Sequence, residues 1–298
     1  MNRQFKDTGR DMDMDDGSLL YACHINDVSL IRERIKGAKQ KQLKQLKQRH
    51  DNIGLPLHAA AVNENYEAVE LLLAQGADLS WRDLVDNNAM LHCVVNGKLR
   101  MAKYLIERGT DVNAQGSHRY TALHYLMFRT SWNKDFAEYL LQKGADINSF
   151  AWDKEQPIMT AAGYGCMEGL QFLLDHGANT DRLPLACGWA LSAGRTEIAR
   201  FLFERGVTSE EIIAQGQGIE KGCIHRAATS FGVWKENSPM VELLCQYVDV
   251  KKAPKRQIVI MGEATRLSPL DYAKELFAQN PQYTYLQKHI EVMEQNCA

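Results

Sequence analysis

The fold is decided by residues 121–148, TALHYLMFRTSWNKDFAEYLLQKGADIN. The stretch contains two short segments with apolar residues at helical spacing, separated by a turn with Trp132 and closed by Gly144. Its opening, 121–124, and its closing, 139–148, both recur elsewhere in the chain. The sequence therefore predicts a repeated helix-turn-helix unit, whose apolar faces are buried only when neighbouring copies stack.

The same residue pattern recurs on both sides of this stretch. Four copies close on a glycine at spacings of 33, 35 and 33 residues, and these are Gly76, Gly109, Gly144 and Gly177. Weaker copies run over 187–206 and 224–244, while 19–35 and 268–273 have the pattern of terminal capping copies. The period therefore covers nearly the whole chain.

These copies resemble the ankyrin repeat, with its Thr-Pro-Leu-His opening and its Leu-Leu-x-x-Gly-Ala-Asp-Val-Asn closing. The resemblance implies an all-α ankyrin-repeat solenoid of about six stacked helix-turn-helix repeats plus terminal caps, with short β-turn fingers. The residue types support the same helix boundaries by themselves. Proline suits the first turn of a helix, and glycine suits the left-handed residue that follows its end.

The pattern predicts four parts of the chain. We expect a flexible acidic tail over 1–16, N-terminal capping helices with a basic extension over 17–51, ankyrin-like repeats over 52–250, and an extended loop or hairpin with a C-terminal capping repeat over 251–298. Insertions in a repeat array emerge as loops on one face, so breaks in the period mark candidate functional regions.

The spacing between copies is uneven. The third and sixth copies have longer turns between their helices, with Trp132 and Trp234 respectively. The spacer between Asn179 and Leu185 is short, which predicts that one projecting finger is trimmed.

Two basic segments stand out. In the long spacer 247–271, apolar residues 257–261 follow a cluster of Lys251, Lys252, Lys255 and Arg256, which predicts either a hairpin with a positive tip or a solvated loop. Residues 32–49 have eight basic residues and one acid, Glu33, and favour a solvated helix. This basic face either makes the cap soluble or contacts an acidic partner or an anionic lipid head group.

Partners of ankyrin proteins bind the concave surface made by the finger tips and the first helices, and the resemblance implies the same site in this chain. The finger positions are Trp81, Arg82, His118, Arg119, Tyr120, Phe150, Trp152 and Lys154, and the first-helix positions are Tyr125, Arg129, Tyr164, Trp189 and Arg226. Aromatic and Arg side chains at such positions are typical binding anchors. The alternative is that these aromatics pack against neighbouring fingers and stiffen the array.

Signs of catalysis, metal or cofactor are weak. The family resemblance implies a structural role for the four histidines at the repeat position, which are His58, His92, His124 and His225. No zinc-ligand spacing, phosphate-binding loop or nucleophile motif is present, so we expect no metal, no cofactor and no enzyme. Buried cysteines are usually apolar filler, although a Cys–His nucleophile across the stack remains an alternative.

Two other functions stay open. One is an enzyme, or an enzyme-recruiting effector, with active groups in the irregular region 206–298, which a perturbed titratable pair in a cleft would favour. The other is asparagine hydroxylation at Asn113 or Asn148, which resemble the family's Asn at the start of a finger.

Composition restricts the class of protein further. The chain has 298 residues, 45% hydrophobic and 24% charged, with a formal net charge of −2, which is typical of a globular protein and argues against a nucleic-acid or membrane binder. No apolar run approaches the roughly 20 residues that span a bilayer, and the polar N-terminus predicts no signal peptide. Seven scattered cysteines without Cys-x-x-Cys favour a reducing compartment over a disulfide framework.

From these observations we predict a non-catalytic, monomeric scaffold or adaptor that binds a protein partner on its finger-and-groove surface. We expect a cytoplasmic location. The degenerate repeats and the Gln/Lys-rich cap also resemble effectors that intracellular bacteria deliver into host cells, in which case the location is the host cytoplasm.

Overall fold

The computed structural model describes residues 18–36, 46–47, 54–128, 130–215, 224, 227, 238–248, 256–260 and 263–296. The predicted tail and most of the basic stretch 32–49 lie outside these residues, as do Arg129 and Arg226. The chain divides into two units, Met1–Tyr125 with Gln142–Ala145 and Leu126–Leu141 with Asp146–Ala298.

The first unit consists of paired short helices. In chain order they are α1 (Leu19–His24), α2 (Val28–Arg34), α3 (Pro56–Val62), α4 (Tyr66–Ala74), α5 (Ala89–Val95), α6 (Leu99–Glu107) and the start of α7 (Ala122–Leu126). The first helices form a row in which α1 packs on α3 and α3 on α5, and α2 packs on α4 behind them. Fully buried apolar side chains such as Leu72, Met90, Met101 and Leu105 fill the space between the two layers.

Local sequence explains where these helices begin and end. Pro56 is the first residue of α3, where its missing N–H leaves no hydrogen bond unmade. Asn65 and Asn88 cap α4 and α5, each accepting a hydrogen bond from a backbone N–H three residues on, at 2.9 Å. After the second helices come glycines with φ between 86° and 97°, and the predicted closing residues Gly76, Gly109, Gly144 and Gly177 are all among them.

The second unit continues the same design. Its helices are α8 (Lys134–Gln142), α9 (Pro157–Tyr164), α10 (Met167–Asp175), α11 (Leu183–Ser192), α12 (Thr196–Glu204), α13 (Ser209–Gln215), α14 (Ser238–Tyr247), α15 (Pro269–Gln279) and α16 (Thr284–Asn296). Helix α9 packs on α11 and α11 on α13, while α14 and α15 both pack on α16. The predicted all-α ankyrin-repeat fold class is confirmed. Among the described residues, no helix is both long and apolar enough to cross a membrane.

A small antiparallel hairpin interrupts the helices near the C-terminus. Strand β1 (Arg256–Ile260) pairs with β2 (Glu263–Leu267), with Arg256 opposite Leu267 and Ile260 opposite Glu263. The prediction of a positive tip was wrong for Arg256, which lies at the end of β1 farthest from the turn. The basic residues Lys251, Lys252 and Lys255 lie outside the described residues.

Within the described residues, three fingers connect successive helix pairs, at 82–88, 115–121 and 150–156, and are called the first, second and third finger. Each is closed by the same backbone hydrogen bond, from Asp83 to Asn87, from Gly116 to Tyr120 and from Ala151 to Glu155, at 2.8 Å in all three. The connection after α10 is much shorter. A single 3₁₀ turn, Thr180–Arg182, leads directly into α11, as the short spacer predicts.

Candidate functional site

The finger tips hold polar residues in an unfavourable backbone conformation. Asp86 in the first finger, His118 and Arg119 in the second and Lys154 in the third have φ between 57° and 66°. Residues other than glycine rarely adopt this left-handed region, because Cβ then lies too close to the following carbonyl oxygen. Such strain concentrates at functional sites, so the tips are candidate contact points.

In the first unit, the predicted anchors nearest the first finger are partly occupied by internal contacts. The Trp81 indole is half-buried, with the Lys47 ammonium 4.9 Å from its ring centroid. The Arg82 guanidinium donates to the carbonyl oxygens of Asp86 and Gln115, and so fastens the first finger to the second. These contacts agree with the alternative in which the predicted anchors pack within the array and stiffen it.

The second finger divides into an exposed tip and a packed base. His118 and Arg119 are exposed, and Arg119 Nε donates to Gln115 Oε1 at 3.0 Å. Tyr120 stacks on the ring of His124 at 5.3 Å. The Tyr125 hydroxyl is buried and donates to Asn87 Oδ1 at 3.0 Å, and burial raises the pKa of this phenol. Tyr125 therefore supports the finger base.

The third finger, in the second unit, presents the most exposed aromatic side chains. Phe150 is 43% exposed and Trp152 is 59% exposed, whereas the finger residues Glu155 and Gln156 are buried. Lys154 is exposed at the tip. The Arg182 guanidinium, from the 3₁₀ turn, lies 5.7 Å from the Phe150 ring centroid. Aromatic and basic groups thus share one surface.

The two first-helix aromatics of this unit behave differently from each other. Tyr164, at the end of α9, is 40% exposed, and its ring meets that of Phe128 edge to face at 4.3 Å. Burial, together with the negative charge of Glu155, raises the pKa of its hydroxyl. Trp189 is half-buried in α11, against Gly163 of α9. The contact of Trp189 agrees with the alternative in which the predicted anchors pack within the array, whereas the Tyr164 ring is partly exposed to a partner.

The asparagines considered for hydroxylation both make structural hydrogen bonds. Asn113 Nδ2 donates to the Gly144 carbonyl oxygen at 3.0 Å. Asn148 Oδ1 accepts from the backbone N–H of Asn179 at 2.8 Å. Hydroxylation at either position stays a prediction.

Some candidates were missed by sequence reasoning. Leu84 and Val85, in the first finger, are 54% and 43% exposed. The signal was available, because they are apolar residues between Asp83 and Asp86 in a turn that is otherwise polar. Arg182 was missed because its contact with Phe150 depends on how the short spacer folds.

One cluster in the first unit has residue types that bind metal ions. His58, Asp83 and His92 each offer a ligand atom, and these atoms lie within 4.8 Å of one another. Within the structure they serve a hydrogen-bond network instead: His92 Nδ1 is 3.0 Å from Asp83 Oδ2, and His58 Nε2 is 3.0 Å from the Asn87 carbonyl oxygen. Sequence reasoning missed the cluster because its members come from two different copies.

The Asp83 carboxylate provides the negative charge of that hydrogen-bond network. Burial by itself would raise the pKa of its carboxyl group, but hydrogen bonds with His92 and the Asn87 N–H, together with the charge of both histidines, hold this pKa below its usual value. The carboxylate therefore stays charged and ties the first finger to α5.

The cysteines differ in state. Cys23, Cys93, Cys166 and Cys187 are free and buried, and burial raises the pKa of Cys23 to about 12 and of Cys166 to about 11. A thiol with such a pKa is a poor nucleophile at neutral pH. Cys245 is disulfide-bonded, which the scattered cysteine pattern did not predict.

The region 206–298, considered for enzyme activity, is described only in part. Among its described residues, Tyr285 has a raised pKa, caused by burial and by the neighbouring Tyr283. The enzyme alternative therefore stays a prediction.

Comparison with known proteins gives a consistent picture. A family model for ankyrin repeats in three copies matches residues 57–151 and 126–214, more than half of the chain. An ankyrin repeat domain-containing protein of Stachybotrys chartarum is 24% identical over 65% of this chain and 9% of its own length. Transient receptor potential cation channel subfamily A member 1 of Homo sapiens is 32% identical over 55% of this chain and 14% of its own length.

A third relative, the human Arf-GAP with coiled-coil, ANK repeat and PH domain-containing protein 2, is 28% identical over 40% of this chain and 15% of its own length. The chain thus matches only a small part of each of these relatives.

Proposed function

Because the chain belongs to the ankyrin repeat family, we propose that it is a non-catalytic protein-binding module that holds its partner on the third finger. Repeats of this family act in protein–protein interaction. The observation that carries the proposal is the exposure of Phe150 and Trp152, at 43% and 59%, on a finger whose base is buried. Exposed aromatic side chains on a rigid support are the usual centres of binding energy.

Hydrogen bonds fix the backbone of the third finger before a partner binds. The Ala151–Glu155 hydrogen bond closes it, and Gln156 Nε2 donates to the Asn148 carbonyl oxygen at 2.8 Å across its base. A partner therefore meets side chains that are already positioned, and little conformational entropy is lost on association. The cytoplasmic location, the monomeric state and the effector role expected from the sequence stay predictions.

Affinity capture followed by mass spectrometry tests this function. Wild type is compared with a Phe150→Ala/Trp152→Ala variant in a lysate of the cells from which the sequence comes. The control is Ile25→Ala/Val95→Ala, which removes apolar side chains of similar exposure, 45% and 42%, outside the fingers. Circular dichroism and thermal unfolding establish that all three proteins are folded.

A protein that wild type and control retain and the finger variant loses supports the proposal. Recovery of the same proteins by all three contradicts it and directs attention to the first finger, where Leu84 and Val85 are exposed.

A further inference from the structure

In the described connection between α10 and α11, residues 176–182, no finger stands beside the third finger. The connection after α10 is the 3₁₀ turn Thr180–Arg182, and the Asn179 N–H holds this turn to Asn148 at the base of the third finger. A longer spacer would place a further finger beside Phe150 and Trp152. Since the spacer is short, both rings stay exposed and space is left along that flank.

One cation lies over an exposed ring, and a second belongs to an exposed residue at the finger tip. The Arg182 guanidinium lies over the Phe150 ring, and Lys154 extends from the tip. Neither is in an ion pair in the part of the chain that the structure describes. Among the described residues, no carboxylate pairs with either charge.

The described acidic groups nearby are directed to other contacts. The Glu155 carboxylate is buried and accepts a hydrogen bond from Thr160 Oγ1 at 2.7 Å. Asp181 lines a separate cavity of about 300 Å³, together with Arg205 and Glu211. Neither carboxylate neutralises the two cations.

We propose that the aromatic-cation patch, formed by Phe150, Trp152, Lys154 and Arg182, binds an acidic peptide segment of the partner protein. Carboxylates of the segment meet Lys154 and Arg182, and an apolar side chain between them lies on Phe150 and Trp152. The segment occupies the flank where the array lacks a finger. This inference rests on the proposed function and adds the chemical class of the partner.

Charge and size favour this occupant over others. A basic segment would place like charges against Lys154 and Arg182, and such juxtaposition disfavours binding. A nucleic acid is bound through many phosphate contacts, whereas the patch offers two cations in a chain of net charge −2. The peptide selection described next distinguishes a basic segment from an acidic one.

The experiment uses the full chain and random twelve-residue peptides displayed on phage. Peptides selected by wild type are sequenced, and the most enriched one is made with a fluorescein label for anisotropy titration. We expect enrichment of Asp and Glu together with large apolar residues, and an affinity that falls as salt concentration rises.

Charge reversal then tests the two cations. Lys154→Glu/Arg182→Glu is expected to weaken binding of the labelled peptide at least about tenfold. The matched control, Arg100→Glu/Lys288→Glu, reverses one Arg and one Lys that are exposed and outside any described ion pair, and leaves affinity unchanged. Circular dichroism confirms that both variants are folded.

The remaining outcomes separate the two proposals. The proposal of an acidic segment is overturned if the selected peptides are basic or have no preference for acidic residues. It is also overturned if binding survives the charge reversal of Lys154 and Arg182. If such binding is still lost in Phe150→Ala/Trp152→Ala, the proposed function stands. If no peptide needs Phe150 and Trp152 for binding, and the capture experiment finds no partner that needs them, both the acidic segment and the proposed function are wrong.

Discussion

Lys154 shows what a single residue contributes at the finger tip. Its φ of 60° lies in the left-handed region, which costs a residue with a Cβ roughly 1–2 kcal/mol. We expect Lys154→Gly to raise the free energy of unfolding by about 1 kcal/mol in urea denaturation, because relief of strain exceeds the added freedom of the unfolded chain. The same change removes a cation of the aromatic-cation patch, so affinity for an acidic peptide falls.

The control for this prediction is Lys288→Gly. Lys288 lies within α16, where glycine lowers helix stability by about 1 kcal/mol. If Lys154→Gly raises the free energy of unfolding and Lys288→Gly lowers it, the backbone at the tip is strained. Equal losses of stability would show that Lys154 is not strained at the tip.

Asp83 gives the fold a dependence on pH. Its pKa is lower in the folded protein than in the unfolded chain, where Asp titrates at about 3.9. The contribution of the carboxylate is therefore complete above that value and is lost as the pH falls through the folded-state pKa. We expect Asp83→Asn to lower the free energy of unfolding by about 1–3 kcal/mol at neutral pH, a loss that shrinks on acidification from about pH 5 to pH 3.

Urea denaturation at a series of pH values measures this difference. The exposed Asp175, at the end of α10, has no described ion pair, and Asp175→Asn is the control that should follow wild type at each pH. A constant deficit of Asp83→Asn across the range would mean that the ionised form of Asp83 has no special stability in the fold.

At the scale of elements, α9 and α11 approach each other where Gly163 faces Trp189. A Cβ added at Gly163 would lie 2.9 Å from Cε3 of the indole, closer than carbon atoms approach without displacement. Alanine normally stabilises a helix relative to glycine by about 1 kcal/mol. Here we expect Gly163→Ala to destabilise the protein by about 1–3 kcal/mol, because the rigid ring must move.

Thermal and urea unfolding of Gly163→Ala, Trp189→Leu and the double variant test this contact. The double variant should recover most of the loss that Gly163→Ala causes, since the shorter side chain leaves room for the methyl group. An increase in stability on Gly163→Ala alone would show that the two helices are not in close contact here.

The helices were predictable because their signals are local. Pro56 and Pro157 begin α3 and α9, and the closing glycines follow the second helices with positive φ, as their residue types require. Exposure of the candidate anchors was less predictable. Trp81 lies just before the first finger and Phe150 at the start of the third, and both were predicted as anchors, but Trp81 is half-buried with Lys47 against it and Phe150 is exposed. That difference depends on residues distant in sequence.

At the scale of the whole molecule, the proposed function depends on two parts of the fold. The repeats supply a rigid support, and a few exposed side chains supply the affinity. Among the described finger residues, two places offer such side chains, Phe150 with Trp152 in the third finger and Leu84 with Val85 in the first. We assign the binding energy to the third finger, because its rings are larger, Arg182 lies over one of them and Lys154 is exposed at the tip, with neither cation in an ion pair among the described residues.

The most direct test is the dissociation constant of the captured partner, measured by isothermal titration calorimetry against wild type and two folded variants. Phe150→Ala/Trp152→Ala should raise the dissociation constant at least about thirtyfold, the size expected when central aromatic anchors are removed. Leu84→Ala/Val85→Ala should change it by less than about twofold. The reverse ranking, or an unchanged constant for the Phe150/Trp152 variant, would contradict the account.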